Sequence, residues 1–167
     1  IASANMAVNS AKKSDGNVCE YFAKNMLDKI RKATQIEAGL RVAIVENQLR
    51  LLYQPKVDLI TGKIVGVEAL IRWMHPKRGL ISPNEFIAIA EESDLIVSIG
   101  EWVFLEIGAH FPLIDLNIPV SINISARQLS KNYDLIKFVR YFIKKFNLNG
   151  DLIDLELTES QLAEDKV

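Results

Sequence analysis

Residues 64–73 have the sequence Ile-Val-Gly-Val-Glu-Ala-Leu-Ile-Arg-Trp, and this stretch decides the predicted fold. In a β-strand, side chains alternate between two faces, so Glu68 and Arg72 share one face and the other face is apolar. The residues before it, 51–58, predict a partner strand, because Ile60-Thr61-Gly62 between the two is a hairpin-type turn. We therefore expect the first strand to run antiparallel to the second.

Two later strands, at 119–125 and 152–158, show the same division into an apolar and a polar face. Their polar faces carry Asn123 and Glu156, respectively. Helical spacing of apolar residues predicts helices between the strands, one of which begins at Ser82-Pro83-Asn84-Glu85, a capping-box sequence. Strands separated by helices predict βαβ units, an α/β fold and a mainly parallel sheet.

The polar strand faces leave two interpretations open. In one, the sheet is antiparallel or edge-exposed, and its polar face simply meets water. In the other, Glu68, Asn123 and Glu156 converge on a pocket at the carboxyl ends of neighbouring strands, where α/β proteins place their sites. Two carboxylates and an amide oxygen, without Cys or His, suit Mg²⁺, Mn²⁺ or Ca²⁺ rather than zinc. Arg72, ~13 Å from Glu68 along the strand, has the planar fork that suits a phosphate.

Composition excludes several classes of protein. The 167 residues carry 20 basic and 21 acidic side chains, so the net charge of −1 provides no positive field for nucleic acid or an anionic membrane. No apolar run approaches the ~18 residues of a membrane-spanning helix. Cys19 is the only cysteine, which excludes an intrachain disulfide and favours a reducing, cytoplasmic location.

An ordered series of motifs identifies a family. In order, the motifs are Leu52-Tyr53-Gln54-Pro55, Glu68-Ala69-Leu70-Ile71-Arg72-Trp73, His75-Pro76, Ser121-Ile122-Asn123-Ile124-Ser125-Ala126-Arg127-Gln128-Leu129 and Leu155-Glu156-Leu157-Thr158-Glu159-Ser160. The series resembles the EAL domain family of bacterial cyclic di-GMP phosphodiesterases. The resemblance implies an incomplete TIM-like (β/α) barrel whose first strand is antiparallel to the rest.

The resemblance also implies roles for individual residues. The family hydrolyses one phosphodiester bond of cyclic di-GMP to give linear pGpG, using two Mg²⁺ or Mn²⁺ ions. Glu68, Asn123 and Glu156 match its metal ligands, and Glu68 is the residue implied to be catalytic. The matching substrate and support positions are Arg72, which contacts a phosphate, Gln54, which binds substrate, and Glu159, which supports an active-site loop.

Three segments are expected along the chain. Residues 1–23 resemble the C-terminal end of a GGDEF (diguanylate cyclase-type) domain, with partial α+β structure. Residues 24–39 are a predicted helical linker, and residues 40–167 match the N-terminal half of an EAL domain. Any membrane anchor is expected upstream of this segment.

The resemblance implies further family elements after the Glu-Leu-Thr-Glu run, an aspartate pair and a lysine among them, and residues 1–167 do not include them. Residues 40–167 are about half of a ~250-residue barrel. We therefore expect the chain alone to be inactive and poorly soluble. The resemblance also implies that the full-length protein can form a homodimer. The alternative is a regulatory EAL-type module that binds cyclic di-GMP without hydrolysing it.

Overall fold

The computed structural model describes residues 24–110, 118–130 and 133–157. The predicted GGDEF remnant and Glu159 lie outside these residues. The helices are α1 (Lys24–Val45), α2 (Pro83–Glu92), α3 (Leu95–His110) and α4 (Leu135–Phe146), with 3-10 turns at Ala126–Leu129 and Gly150–Leu152. The strands are β1 (Leu49–Val57), β2 (Ile64–His75), β3 (Gly79–Ile81), β4 (Val120–Ile124) and β5 (Ile153–Leu157). No helix in this described part is both long enough and apolar enough to cross a membrane.

The chain divides into two compact units, residues 1–36 and 37–167. In the first unit the described residues, 24–36, belong to α1. The second unit contains the whole sheet and the helices that pack on it. The assignment of 1–23, 24–39 and 40–167 to three segments stays a prediction.

The sheet has the strand order β1-β2-β4-β5, and β3 pairs with β2. As predicted, β1 is antiparallel to β2, whereas β2, β4 and β5 are mutually parallel. The short strand β3, which the sequence did not predict, folds back antiparallel onto the end of β2 at residues 73–75. The described strands form an open sheet and do not close a barrel.

The core lies on the apolar face of this sheet, as the alternation in the sequence predicts. Buried side chains on this face come from β2 and β4, namely Ala69, Trp73, Val120, Ile122 and Ile124. Trp73 packs edge-on against Phe86 of α2, with ring centroids 5.9 Å apart, and donates its indole N–H to Gln48 Oε1 at 3.2 Å. Because this face is covered, the opposite, polar face is left for a functional site.

The predicted helix start at Ser82-Pro83 is confirmed, but the predicted capping box does not form there, and another capping box was missed. Ser82 precedes α2, but its side chain makes no capping hydrogen bond, and the carboxylate of Glu85 pairs with Arg78 instead. A true capping box forms at Ser125, where Gln128 Oε1 accepts the Ser125 N–H at 3.1 Å. β4 therefore ends at Ile124, one residue earlier than predicted.

A glycine sets the close approach of α3 and α4. A Cβ atom on Gly108 would lie 2.4 Å from Cδ2 of Phe146, which in turn packs on Phe142. We expect Gly108→Ala to destabilise the protein by about 1–3 kcal/mol through overpacking, more than the ~1 kcal/mol gained in helix propensity. Urea denaturation measures the difference in free energy of unfolding.

The exposed neighbour Ala109 provides the control for helix propensity. Ala109→Gly should cost at most ~1 kcal/mol, because the side chain of Ala109 is exposed. A Gly108→Ala protein as stable as the wild type would contradict the steric argument.

Candidate functional site

Strand register aligns polar side chains on one face of the sheet. A single row of directly paired residues crosses four strands and contains Gln54, Glu68, Ser121 and Asp154. Directly paired residues share a face of the sheet. Asn123 and Glu156 form a second pair on this face, two residues closer to the carboxyl ends of β4 and β5. The structure therefore brings together Glu68, Asn123 and Glu156, as the sequence predicts.

Asn123 and Glu68 are joined directly. Asn123 Nδ2 donates a hydrogen bond of 2.7 Å to Glu68 Oε1, which links β4 to β2. An amide that donates through its nitrogen keeps its carbonyl oxygen as an acceptor or a metal ligand. The bond therefore fixes the amide of Asn123 in an orientation that is compatible with ligation.

Lys56 is a member of this site that the sequence analysis missed. Its Nζ donates to Ser121 Oγ at 2.5 Å and to Glu156 Oε1. Its cross-strand partner on β2 is Gly66, which has no side chain to block the path from β1 to β4 and β5. The available signal was the strand period of two, which places Lys56 on the same face as Gln54.

The contact between Lys56 and Glu156 shifts the pKa values of both groups. The hydrogen bond from Lys56, followed by one from Ser121, lowers the pKa of Glu156 below its ordinary value of 4.5. The hydrogen bond with Glu156 raises the pKa of Lys56, and the negative charges of Glu156, Glu68 and Asp154 add to the increase. The ammonium group is thus a cation held by the acidic side chains of this face.

Arg72 and Gln54 lie on the same face as Glu68. Gln54 is directly opposite Glu68 on β1, and its side chain is exposed. Arg72 Nη1 donates to its neighbour's carbonyl, Ile71 O, at 2.8 Å. Arg72 also lines a cavity of about 310 Å³ between the sheet and helices α2 and α3, together with Asn84 and Asn123. The walls of the cavity are mostly apolar, and these polar groups are available to orient a ligand.

The chemistry of the site fits a divalent cation. No group of three or more His, Cys, Asp or Glu side chains within residues 24–110, 118–130 and 133–157 has the arrangement of a metal site. The set of two carboxylates and one amide, however, supplies only oxygen ligands, which Mg²⁺ and Mn²⁺ prefer. The ammonium group of Lys56 pairs with Glu156, so a positive charge is already bound at this position on the polar face of the sheet.

Comparison with known sequences decides the family. The sequence profile of the EAL domain matches residues 37–167. The chain belongs to the EAL domain family. Its predicted GGDEF remnant is not covered by this match.

Several EAL relatives are similar to the chain over almost all of its length. The cyclic di-GMP phosphodiesterase PdeR of Escherichia coli is 38% identical over 168 residues, which is 98% of this chain and 25% of PdeR. The bifunctional diguanylate cyclase/cyclic di-GMP phosphodiesterase MucR of Pseudomonas aeruginosa is also 38% identical, over 97% of this chain and 24% of MucR. The chain spans about a fifth to a quarter of the length of the curated relatives it matches.

Solved EAL structures confirm the predicted fold. The structure of PaMucR phosphodiesterase in complex with c-di-GMP has a TM-score of 0.70 and 38% identity, covering 78% of this chain and 54% of that one. The EAL enzyme Bd1971 in its cGMP-bound form has a TM-score of 0.69 and 32% identity, covering 86% of this chain and 40% of that one. The described part of this protein is therefore a fragment of an α/β, TIM-like barrel with a mixed sheet.

The ion pair of the site predicts a dependence of stability on pH. Since folding lowers the pKa of Glu156, the pair stabilises the folded state above pH 4.5 and loses this effect as the pH falls through the lowered pKa. In Lys56→Met the largest cause of the lowered pKa of Glu156 is removed and only the hydrogen bond from Ser121 still lowers it, so the melting temperature should fall less steeply with acidification than in the wild type. Thermal unfolding between about pH 6 and about pH 3 measures the two slopes.

Lys63→Met, which removes an exposed lysine from the turn between β1 and β2, is the matched control and should retain the wild-type slope. Equal slopes for wild type and Lys56→Met would contradict the ion pair.

Proposed function

We propose that the chain forms part of a phosphodiesterase that hydrolyses one phosphodiester bond of cyclic di-GMP to give linear pGpG. In this proposal Glu68, Asn123 and Glu156 hold Mg²⁺ or Mn²⁺. The observation that carries it is the strand register: Glu68, Asn123 and Glu156 come from three parallel strands, and their oxygen-bearing side chains share one face of the sheet. The activity named for PdeR and the c-di-GMP bound to PaMucR support this choice of substrate.

Different residues of the chain bind the cation and orient its ligands. A bound divalent cation supplies polarisation of the phosphate and activation of water. Glu68 and Glu156 provide the negative charge that holds it, and the hydrogen bond to Glu68 orients the amide of Asn123. Because Lys56 and a metal ion compete for Glu156, we expect the lysine to keep this carboxylate charged and in place before metal binds.

The substrate is held by groups around these ligands. Arg72 has a planar fork of N–H donors that matches a phosphate oxygen pair. Gln54 is directly opposite Glu68, and in this proposal its amide hydrogen-bonds a substrate near the ligands. The cavity beside Arg72, whose walls are mostly apolar and include the polar side chains of Asn84 and Asn123, suits an aromatic base.

The remaining assignments are part of the same proposal. Glu159 supports an active-site loop, residues 1–23 end a GGDEF-like domain, and residues 24–39 link it to the EAL unit. We propose a cytoplasmic location for this segment and a homodimer for the full-length protein. The inactivity of the 167-residue chain by itself stays a prediction.

The role of Glu68 is testable in the full-length protein. Glu68→Ala removes one carboxylate ligand and the acceptor of the Asn123 bond. We expect affinity for Mn²⁺ to fall at least ~10-fold, because loss even of a residue that only orients a metal ligand costs about that much, and hydrolysis of cyclic di-GMP to fall at least as much. Isothermal titration with Mn²⁺ and chromatography of the pGpG product measure the two effects.

Glu37→Ala is the control, because it removes a partly exposed carboxylate from α1 that pairs only with Arg41 among the described ion pairs. It should retain both metal affinity and hydrolysis. Unchanged values in Glu68→Ala would contradict the role of Glu68. A wild-type protein that binds cyclic di-GMP without hydrolysing it would instead favour the regulatory alternative.

A further inference from the structure

Two arginines face each other at one end of the proposed site. Arg50 on β1 is directly opposite Arg72 on β2. The two positions lie on the same strand faces as Gln54 and Glu68, each four residues away along its strand. Directly opposed side chains in an antiparallel pair have Cβ atoms about 4.5–5.5 Å apart. The two guanidinium groups can therefore reach the same ligand.

Neither arginine is neutralised by an acidic side chain within the described residues. Arg50 Nη1 donates to the carbonyl oxygens of Asn47 at 2.7 Å and Leu49 at 2.6 Å, and Arg72 Nη1 donates to that of Ile71. By contrast, Arg78 and Arg127 each bind a carboxylate, of Glu85 and Asp94 respectively. Like charges in direct opposition destabilise a strand pair. An anion bound between the two guanidinium groups would remove this repulsion.

The position of the pair identifies the anion. Arg72 is ~13 Å along β2 from Glu68, so the pair lies beside the proposed metal ligands and not among them. Each guanidinium has five N–H donors in a planar array, which suits phosphate oxygens better than single-point acceptors. A cyclic dinucleotide carries two phosphodiester anions, so one can lie at the metal ligands while the other lies at the arginine pair.

We infer that Arg50 is a second phosphate-binding residue of the site and, together with Arg72, holds a phosphodiester group of the cyclic dinucleotide. This inference rests on the proposed function and adds to it a residue that sets affinity for a substrate with two phosphates. Arg50 acts in binding and does not touch the bond that is cleaved.

The test is binding of cyclic di-GMP to the full-length protein in EDTA, which prevents turnover, by titration calorimetry at several salt concentrations. Arg50→Gln should bind about 10- to 100-fold more weakly, the effect of losing one charge-assisted hydrogen-bonding group. Its affinity should also depend less on salt, because one charge contact is absent. Arg140→Gln, which removes an exposed arginine from α4, should match the wild type in both respects.

The outcomes separate this inference from the proposed function. A wild-type protein that neither binds nor hydrolyses cyclic di-GMP would overturn the proposed function. A wild-type protein that binds it only as tightly as Arg50→Gln, with the same salt dependence, would overturn the role of Arg50 alone. Should Arg50→Gln unfold, Arg50→Lys carries the test: a several-fold loss of affinity is expected, and wild-type affinity would overturn the contact.

Discussion

The pairing register of β2 and β4 is the constraint on which the site depends. It sets Glu68 against Ser121, and this places Asn123 close enough to donate its 2.7 Å hydrogen bond to Glu68. A slip of one residue would turn every side chain of a strand to the other face, exposing the apolar set and burying the carboxylates. The buried side chains of Val120, Ile122 and Ile124 oppose such a slip. The packing of the core and the geometry of the site are therefore specified by the same alternation of residues.

Charge is separated along this face, although the whole chain has a net charge of only −1. Glu68, Asp154 and Glu156 form an acidic region that Lys56 partly neutralises. Arg50 and Arg72 form a basic region toward the carboxyl end of β2. A cation and a phosphate-bearing ligand would satisfy the two regions together, so the proposed binding of an anionic dinucleotide does not require a basic surface.

The sequence predicted those features of the site that depend on local periodicity. Glu68, Asn123 and Glu156 could be assigned to polar strand faces because side chains alternate in every β-strand. The role of Lys56 could not be predicted in this way, since it depends on a long side chain that passes Gly66 to reach two other strands. The opposition of Arg50 and Arg72 likewise required the register of the hairpin. Ser82 is the N-cap that the sequence predicts, but its capping box was predicted wrongly because Arg78, seven residues from Glu85, binds the carboxylate that the box requires.

The central claim is that strand register assembles Glu68, Asn123 and Glu156 into one cation site. The most direct measurement is anomalous diffraction at the manganese edge from crystals of the full-length protein grown with Mn²⁺. The account predicts an anomalous peak coordinated by oxygen atoms of all three side chains. Manganese bound elsewhere, with these three side chains uncoordinated, would contradict it.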